Sequence, residues 1–311
     1  MRWTSRFGRW LRSGPLGDWL AARLERALHF PTLDVEFPRA GPDLDGLRVA
    51  LVSDLHAGGF VSGSDAARML RGLVELAPDL ILLVGDLIDS APDDVLQLRE
   101  ALADLHAPLG VFAVPGNHDH AADPGLVGWR RELEALGVRV LINEGERLKR
   151  GSETLWLAGA DDLSLGQPDL ANAMQGCGPD EVALLMSHEP DLFAEAEFVG
   201  VELTLSGHTH GGQISLFGWA PWVRGHSAFG FFGGFYRRGA AQLCVGRGAG
   251  VSMLPLRIGV PPEIPILRIR SAQSNTRSAG PDRNTQNTST PATAASPAAR
   301  PHQTPGSPNS R

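Results

Sequence analysis

Five short polar clusters, each placed directly after an apolar segment, constrain the fold of this 311-residue chain more than any other feature of its sequence. Short apolar runs bounded by turn residues are typical of buried strands, and segments with helical periodicity lie between them. This alternation indicates a layered α/β fold with a largely parallel core. Strands are predicted at 47–54, 80–86, 111–117, 138–142, 154–158, 182–187 and 203–206, and helices at 64–77, 92–106 and 126–136.

The five clusters contain carboxylate, imidazole and amide side chains but no thiol. They are Asp54-Leu55-His56, Gly85-Asp86, Asn117-His118-Asp119, Ser187-His188 and Gly207-His208-Thr209-His210. Because open α/β sheets bind ligands outside the carboxyl ends of their strands, we expect all five clusters to line one crevice. Oxygen and nitrogen donors without sulfur suit Mn²⁺, Fe or Zn²⁺.

The number of candidate ligands indicates two metal ions. The candidates are Asp54, His56, Asp86, Asn117, His188, His208 and His210. Seven ligands are more than one hydrolytic ion needs, because that ion must keep a position open. Asp86 is the natural bridge between two ions, since it comes from the middle of the set and has two oxygens. Paired ions about 3.5–4 Å apart can hold a hydroxide and clamp the oxygens of an in-line displacement, which is phosphoryl-transfer chemistry.

Five sequence blocks resemble the calcineurin-like metallophosphoesterase superfamily, most closely its bacterial YaeI/YkuE-type phosphodiesterases. The blocks are SDLHAG (53–58), GDLID (85–89), GNHDH (116–120), SHEPD (187–191) and GHTHGGQ (207–213). The segment 245–269 is similar to the closing strands of that branch, so the resemblance covers most of residues 45–270. It implies a four-layer α/β/β/α sandwich with two metal ions at its centre.

The resemblance also implies a role for each residue of the clusters. The first ion would take Asp54, His56, Asp86 and His210, and the second would take Asp86, Asn117, His188 and His208. His118 would protonate the leaving oxygen or stabilise the phosphoryl charge, and Asp119 would orient His118. Asp89 would support the surrounding hydrogen bonds. Mn²⁺ is the expected metal, with Fe and Zn²⁺ as alternatives.

The first 30 residues form a basic amphipathic segment, with six arginines against two acidic residues in a chain whose net charge is −7. Trp3, Phe7 and Trp10 fall on one helical face, with arginines nearby that could contact lipid phosphates. Two interpretations stay open: peripheral contact with the inner face of the membrane, and a helix packed on the domain and interrupted at Gly14-Pro15. No apolar run reaches 18 residues, so we expect a cytoplasmic protein without a transmembrane helix. The negative net charge argues against nucleic-acid binding.

The composition divides the chain into three regions. Residues 1–44 form the basic segment, and 45–270 form the metallophosphoesterase domain. Residues 271–311 contain no Leu, Ile, Val, Phe, Trp or Tyr, which predicts a disordered tail. Within the domain, 242–246 and 265–269 are predicted to be strands added in antiparallel direction at the sheet edge.

Other residues are weaker candidates for contact with substrate. The Gly-rich segment 229–236 is predicted to be a substrate-facing loop, with an edge hairpin as the alternative. The polar candidates are His120, Asp161, Asp162, Arg224, His226, Arg237, Arg238 and Arg247. For each arginine, solvated surface is an equal alternative. His29, His106 and His302 are expected to take no part in the chemistry.

Together these features predict a metal-dependent phosphoric ester hydrolase, most specifically a phosphodiesterase that uses a metal-bridging hydroxide as nucleophile. A second hypothesis narrows the substrate to a lipid-linked pyrophosphate at the membrane surface. The Trp-rich basic N-terminus motivates it, and a related branch of the superfamily cleaves UDP-2,3-diacylglucosamine. A third hypothesis is a metal-stabilised binding scaffold without turnover, which the complete ligand set disfavours.

Overall fold

Two six-stranded mixed sheets form the centre of the protein, in a computed structural model that describes residues 2–215 and 227–271. The first sheet has the order β1 (Thr32–Phe37), β12 (Ile266–Ser271), β2 (Arg48–Val52), β3 (Leu80–Val84), β4 (Val111–Val114) and β5 (Arg139–Val140). The second has the order β10 (Gly234–Arg238), β11 (Ala241–Val245), β9 (Leu203–Ser206), β8 (Val182–Met186), β7 (Glu153–Gly159) and β6 (Glu144–Arg150).

Helices cover the outer faces of the two sheets. They are α1 (Arg2–Arg12), α2 (Pro15–Ala27), α3 (Gly63–Leu76), α4 (Leu98–Ala101), α5 (Asn117–Ala122), α6 (Val127–Ala135), α7 (Leu170–Ala173) and α8 (Phe193–Ala196). Among residues 2–215 and 227–271, three 3₁₀ turns lie at Pro92–Gln97, Pro190–Leu192 and His210–Gly212. Every helix in the described part of the chain is too short or too polar to cross a membrane.

The apolar side chains separate into layers, as strand alternation requires. Between the sheets, Leu51 and Leu82 of the first sheet pack in one core with Leu184 of the second. On the other face of the first sheet, its alternate apolar residues pack with the helices in a second core that contains Leu73 of α3 and Trp129 of α6. A third core joins the second sheet to α7 and the turn before α8. The predicted four-layer α/β/β/α fold is confirmed.

Parallel pairing places the polar clusters side by side. Strands β2, β3 and β4 run parallel to one another, and so do β7, β8, β9 and β11. The residues that follow the carboxyl ends of β2, β3, β4, β8 and β9 therefore emerge at neighbouring points along two sheet edges, as the clusters predict.

Several sequence predictions about the elements were wrong. Strand β12 runs antiparallel to β2, as predicted, but lies inside the first sheet between β1 and β2. Strand β11 runs antiparallel to β10 but parallel to β9, so it also lies inside its sheet and not at the edge. Strand β1 joins the sheet ahead of the predicted domain start at 45. The helix predicted at 92–106 is a 3₁₀ turn followed by the single turn of α4. Apolar periodicity does not specify a strand's partner or direction, and it barely separates 3₁₀ from α in short segments.

Residue Gly234 begins the edge strand β10, so the second half of the 229–236 segment is an edge hairpin and not a loop. The predicted tail from 272 onward lies outside the described residues, as do Arg224, His226 and His302.

Candidate metal centre

Five residues of the polar clusters adopt left-handed backbone conformations at the ends of their strands. The φ angles are 55° for Asp54, 49° for His56, 52° for Asp86, 69° for His208 and 50° for His210. Such conformations cost roughly 1–3 kcal/mol each for residues other than glycine and persist only where the surroundings fix them. Here the backbone N–H of Asp54 donates to the Gly85 carbonyl (3.1 Å), and that of His56 donates to the Asp86 carbonyl (3.0 Å).

The first group of ligand atoms comes from both sheets. The Nε2 atoms of His56 and His210 lie 3.0 Å apart, and their rings stack with centroids 5.0 Å apart. The Nε2 of His210 is also 3.3 Å from Asp54 Oδ1, and the Nε2 of His56 is 3.7 Å from Asp86 Oδ2. All four side chains are buried. These are the four residues assigned to the first ion by the resemblance.

The second group contains the four residues assigned to the second ion, and it shares Asp86 with the first group. The Nε2 of His188 lies 3.3 Å from Asp86 Oδ2 and 3.3 Å from His208 Nδ1. The same His208 nitrogen is 2.9 Å from Asn117 Oδ1. The second nitrogen of His188, Nδ1, meets the Val84 carbonyl at 3.0 Å, which fixes the ring orientation and leaves Nε2 for the site.

A single carboxylate oxygen connects the two groups. Asp86 Oδ2 faces His56 on one side and His188 on the other. Asp54, His56 and His210 are close enough to hold one ion, and Asp86, His188 and His208 are close enough to hold another. The structure thus brings all seven predicted ligands together. The donors fit divalent ions, because imidazole nitrogens face one another at hydrogen-bond distance and all seven donors are nitrogen or oxygen.

The sequence comparisons identify the family of this site. The family model of the calcineurin-like phosphoesterases matches residues 47–212, which is more than half of the chain and contains all seven ligands. The chain belongs to the calcineurin-like phosphoesterase family. Relatives of this phosphoesterase include the uncharacterized metallophosphoesterase YkuE of Bacillus subtilis, 33% identical over 232 residues, which are 73% of this chain and 80% of the relative.

Two other relatives are longer than the region they share with this phosphoesterase. A transmembrane protein with metallophosphoesterase domain from Danio rerio is 32% identical over 256 residues, which are 77% of this chain and 57% of that protein. An uncharacterized metallophosphoesterase of Campylobacter jejuni is 30% identical over 260 residues, which are 80% of this chain and 66% of that protein. This chain therefore spans little more than half of the zebrafish relative.

Burial and neighbouring charges shift the pKa values of the ionisable ligands in the phosphoesterase site. Burial raises the pKa of Asp54 to about 6 and lowers that of His56 to about 4. Burial also lowers the pKa of His210 well below the usual histidine value. Burial acts to raise the pKa of Asp86, but the charges of His188, His118 and His56 and the hydrogen bond with His188 together outweigh it, and the pKa falls well below the usual range. His56 and His210 are therefore neutral near pH 7 and can offer nitrogen lone pairs to a cation.

Glycines next to the ligands allow the segments to approach closely. A Cβ on Gly116 would collide with the carboxylate and backbone nitrogen of Asp86, and a Cβ on Gly85 would collide with the ring of His188. Gly85 also has a φ of 75°, which L-residues rarely adopt. The glycines of the GD and GNHD blocks are thus part of the geometry of the site.

The contact that orients His118 differs from the predicted one. Its Nδ1 lies 2.6 Å from the backbone carbonyl of Asp89, and its backbone N–H donates to Asp86 Oδ1 at 2.8 Å. The Asp119 carboxylate instead accepts from the backbone N–H groups of Ile88 (3.0 Å) and Gly116 (2.9 Å), and so ties α5 to the loop after β3. The structure gives the orienting contact to the Asp89 carbonyl and not to Asp119.

Sequence reasoning missed Arg257, which contacts a metal ligand. One Nη2–H donates toward His210 Nδ1 at 3.1 Å, while Nε donates to the Gly250 carbonyl at 2.8 Å and Nη2 to that of Gly248 at 3.2 Å. Burial lowers the pKa of Arg257 to about 10. The sequence signal that could have indicated Arg257 is its position as the lone arginine in the apolar closing segment 251–258.

The remaining candidates are held by contacts of their own. His120 Nε2 lies 2.7 Å from Asp161 Oδ1, and Arg247 pairs with Glu263 at 2.7 Å. Arg238 lies 3.5 Å from Glu197. Arg237 lies over the Phe235 ring, and Asp162 is fully buried. His29 contacts the Pro262 carbonyl, and His106 contacts the Asp104 carbonyl.

Proposed function

We propose that this phosphoesterase hydrolyses phosphodiesters with two divalent ions, Mn²⁺ being the expected metal. The observation that supports the proposal is the pair of ligand groups joined at Asp86 Oδ2. Asp54, His56 and His210 would hold the first ion with Asp86, and Asn117, His188 and His208 would hold the second with it. When bound, the ions would lower the pKa of a water molecule between them and offset the phosphoryl charge.

The protein's own residues suit the proton transfer to the leaving oxygen. A carbonyl oxygen can only accept, so the Asp89 contact places a proton on Nδ1 of His118 and leaves Nε2 for exchange with the substrate. Burial acts to lower the pKa of His118, but the charge of Asp86 and the Asp89 carbonyl outweigh it and raise the pKa. His118 is thus suited to carry a second proton near pH 7 and to donate it.

A substrate panel tests this function. We expect the Mn²⁺-loaded chain to cleave a generic phosphodiester faster than a monoester or a nucleotide sugar. His118→Ala should lower kcat by about 10²–10⁴-fold with metal content unchanged. His120→Ala is the matched control, since it lies on the same helix but is bonded to Asp161, and should keep near-normal activity.

Two outcomes would contradict the proposal. Full activity of Asp86→Ala would exclude a shared carboxylate in catalysis. Metal binding without turnover of any substrate would favour the binding scaffold instead.

A second candidate function is hydrolysis of a lipid-linked pyrophosphate at the inner face of the membrane. It is favoured by the exposure of Trp10 and Trp19 on the basic N-terminal helices, where 70% and 53% of their surface is open to solvent. Preference for a lipid pyrophosphate over the soluble diester in the same panel would select this candidate.

A further inference from the structure

The two N-terminal helices pack on the domain through one face and leave the other face apolar and exposed. Ala21 and Leu24 of α2 are buried in the core beneath the first sheet, and Gly8 of α1 lies against Phe60. On the opposite side, large apolar side chains face solvent at helical spacing. These are Phe7 and Trp10 on α1, with ring centroids 5.8 Å apart, and Leu16 and Trp19 on α2.

The arginines of these helices divide in the same way. Arg9 donates to the Gly58 carbonyl at 2.7 Å, and Arg12 donates to both oxygens of Asp65 at 2.7 and 2.8 Å. Arg6, Arg23 and Arg26 are exposed and form no ion pair with any described residue. On α2 the outward residues Leu16, Trp19, Arg23 and Arg26 recur at i, i+3, i+7 and i+10, which is one helical stripe.

A second exposed apolar segment is attached to the first ligand group. Within 251–258, four apolar side chains are exposed: Met253, Leu254, Leu256 and Ile258. The segment is held against the metal loops, because the Gln213 side chain donates to the carbonyls of Ser252 and Leu254 at 2.9 Å each. Arg257 of the same segment contacts His210. The apolar side chains are therefore attached to the site itself.

The loop that carries His56 joins the two exposed regions. The backbone N–H of Gly250 donates to the Asp54 carbonyl at 2.8 Å, and Arg9 of α1 donates to the Gly58 carbonyl. Asp54 and Gly58 are four residues apart, which is at most about 14 Å of chain. The N-terminal helices and the 251–258 segment are thus both hydrogen-bonded to, or directly beside, the loop that carries His56.

We propose that the outward stripe of α1 and α2 and the 251–258 segment together dock on an anionic lipid bilayer, with the metal centre near the headgroups. Tryptophan and phenylalanine beside unpaired arginines are the side chains that insert at the boundary between headgroups and acyl chains of anionic membranes. Hydrolysis of a lipid phosphate ester by the docked enzyme rests on the proposed function. The docking itself does not depend on the proposed function.

Vesicle co-sedimentation of the full chain tests the docking. We expect binding to vesicles of equal phosphatidylglycerol and phosphatidylcholine, weaker binding at high salt, and little binding to phosphatidylcholine alone. Trp10→Ala with Trp19→Ala should lower the partition coefficient by about tenfold or more. Each of Arg6→Gln and Arg23→Gln should lower it about fivefold.

Matched controls come from exposed residues elsewhere on the surface. Phe198→Ala and Arg131→Gln remove a phenylalanine that is 86% exposed and an arginine whose side chain is 75% exposed, and neither should change binding. Met253→Ser with Leu254→Ser should also weaken vesicle binding, because the proposal places these two side chains against the bilayer. Circular dichroism should show the same fold for every variant.

Three results would overturn the docking proposal: vesicle binding unchanged by the tryptophan substitutions, equal binding to neutral vesicles at all salt concentrations, or a dimer in light scattering that the same substitutions abolish. Binding to vesicles without hydrolysis of any phosphoester would leave docking standing and remove the proposed function. Hydrolysis of a soluble phosphodiester without vesicle binding would support the proposed function and contradict the docking proposal.

Discussion

The role of Arg257 is not evident from the sequence, whereas the structure shows defined contacts of its guanidinium with a candidate metal ligand. Its guanidinium has no carboxylate partner among the described residues and instead meets His210 Nδ1 and the carbonyls of Gly248 and Gly250. These contacts hold the imidazole so that its Nε2 faces Asp54 and His56. Arg257 therefore acts as a positioning residue for the first ion, as groups behind metal ligands commonly do.

Substitution of Arg257 tests this positioning role. Arg257→Gln should weaken the first Mn²⁺ site by about 10–100-fold, because the ring of His210 loses its fixed orientation. The second site should change little. Titration calorimetry measures both affinities, and Arg247→Gln is the control, since that arginine pairs with Glu263. Equal affinities in Arg257→Gln and the unmodified chain would show that His210 is held without it.

At this scale the sequence predicts the identity of candidate ligands but not their neighbours. The seven ligands are visible because they follow apolar strands in blocks of fixed composition. The partner of His118 is a backbone carbonyl, at Asp89, which no side-chain pattern can indicate. Asp119 shows the converse, since a carboxylate beside a histidine in sequence turns to backbone N–H groups in space.

Among the elements, α1 is attached to the domain by ion pairs from Arg9 to Asp94 and from Arg12 to Asp65, and the second pair is the more buried. Arg12 forms two hydrogen bonds with Asp65, whose carboxylate also accepts from the backbone and hydroxyl of Ser62 at the start of α3. Burial acts to raise the pKa of Asp65, but the hydrogen bonds from Arg12 and Ser62 outweigh it and lower the pKa to about 2. The pair thus joins α1 to the cap of α3.

Removal of this pair should loosen α1 and lower stability. Arg12→Gln removes two hydrogen bonds from the buried Asp65 and leaves Arg68 as its cation, which should cost roughly 1–3 kcal/mol of unfolding free energy at pH 7. Because the folded pKa of Asp65 lies below the unfolded value of about 4, its contribution is present above pH 4 and is lost as the pH falls toward 2. The difference between the two proteins in urea unfolding should therefore shrink from pH 7 to pH 3. Arg131→Gln serves as control, and a difference independent of pH would contradict this account.

The sequence predicts the strands whose residues are almost all buried, and it misses strands whose side chains are mostly exposed. Strands β2, β3, β8 and β9 are almost entirely buried, and their apolar runs identify them. Strand β6, with the sequence EGERLKR, has one buried residue and no apolar run to mark it. Its place in the sheet depends on antiparallel hairpin pairing with β7, across the turn at Gly151 and Ser152, and apolar periodicity does not encode that pairing.

On the scale of the whole molecule, the metal centre lies where the two sheets meet. Asp54, Asp86 and Asn117 follow strands of the first sheet, whereas His188 and His208 follow strands of the second. The sheets otherwise adhere through apolar contacts, which do not specify how their carboxyl edges align. Two bound ions would therefore link the layers and hold strained loop ends that the protein alone must otherwise stabilise.

Metal addition should accordingly raise the stability of the whole domain. At a free Mn²⁺ concentration 100 times the dissociation constant, each ion adds about 2.7 kcal/mol if it binds only the folded chain. That corresponds to a rise of roughly 5–10 °C in Tm for each ion, and a chelator should reverse it. Asp86→Asn should abolish most of the rise, because both ions share that carboxylate. Asp161→Asn, whose carboxylate contacts His120, should keep the full rise. A Tm that Mn²⁺ leaves unchanged would mean that the two groups of ligands do not hold ions in solution, since binding to the folded state alone cannot fail to stabilise it.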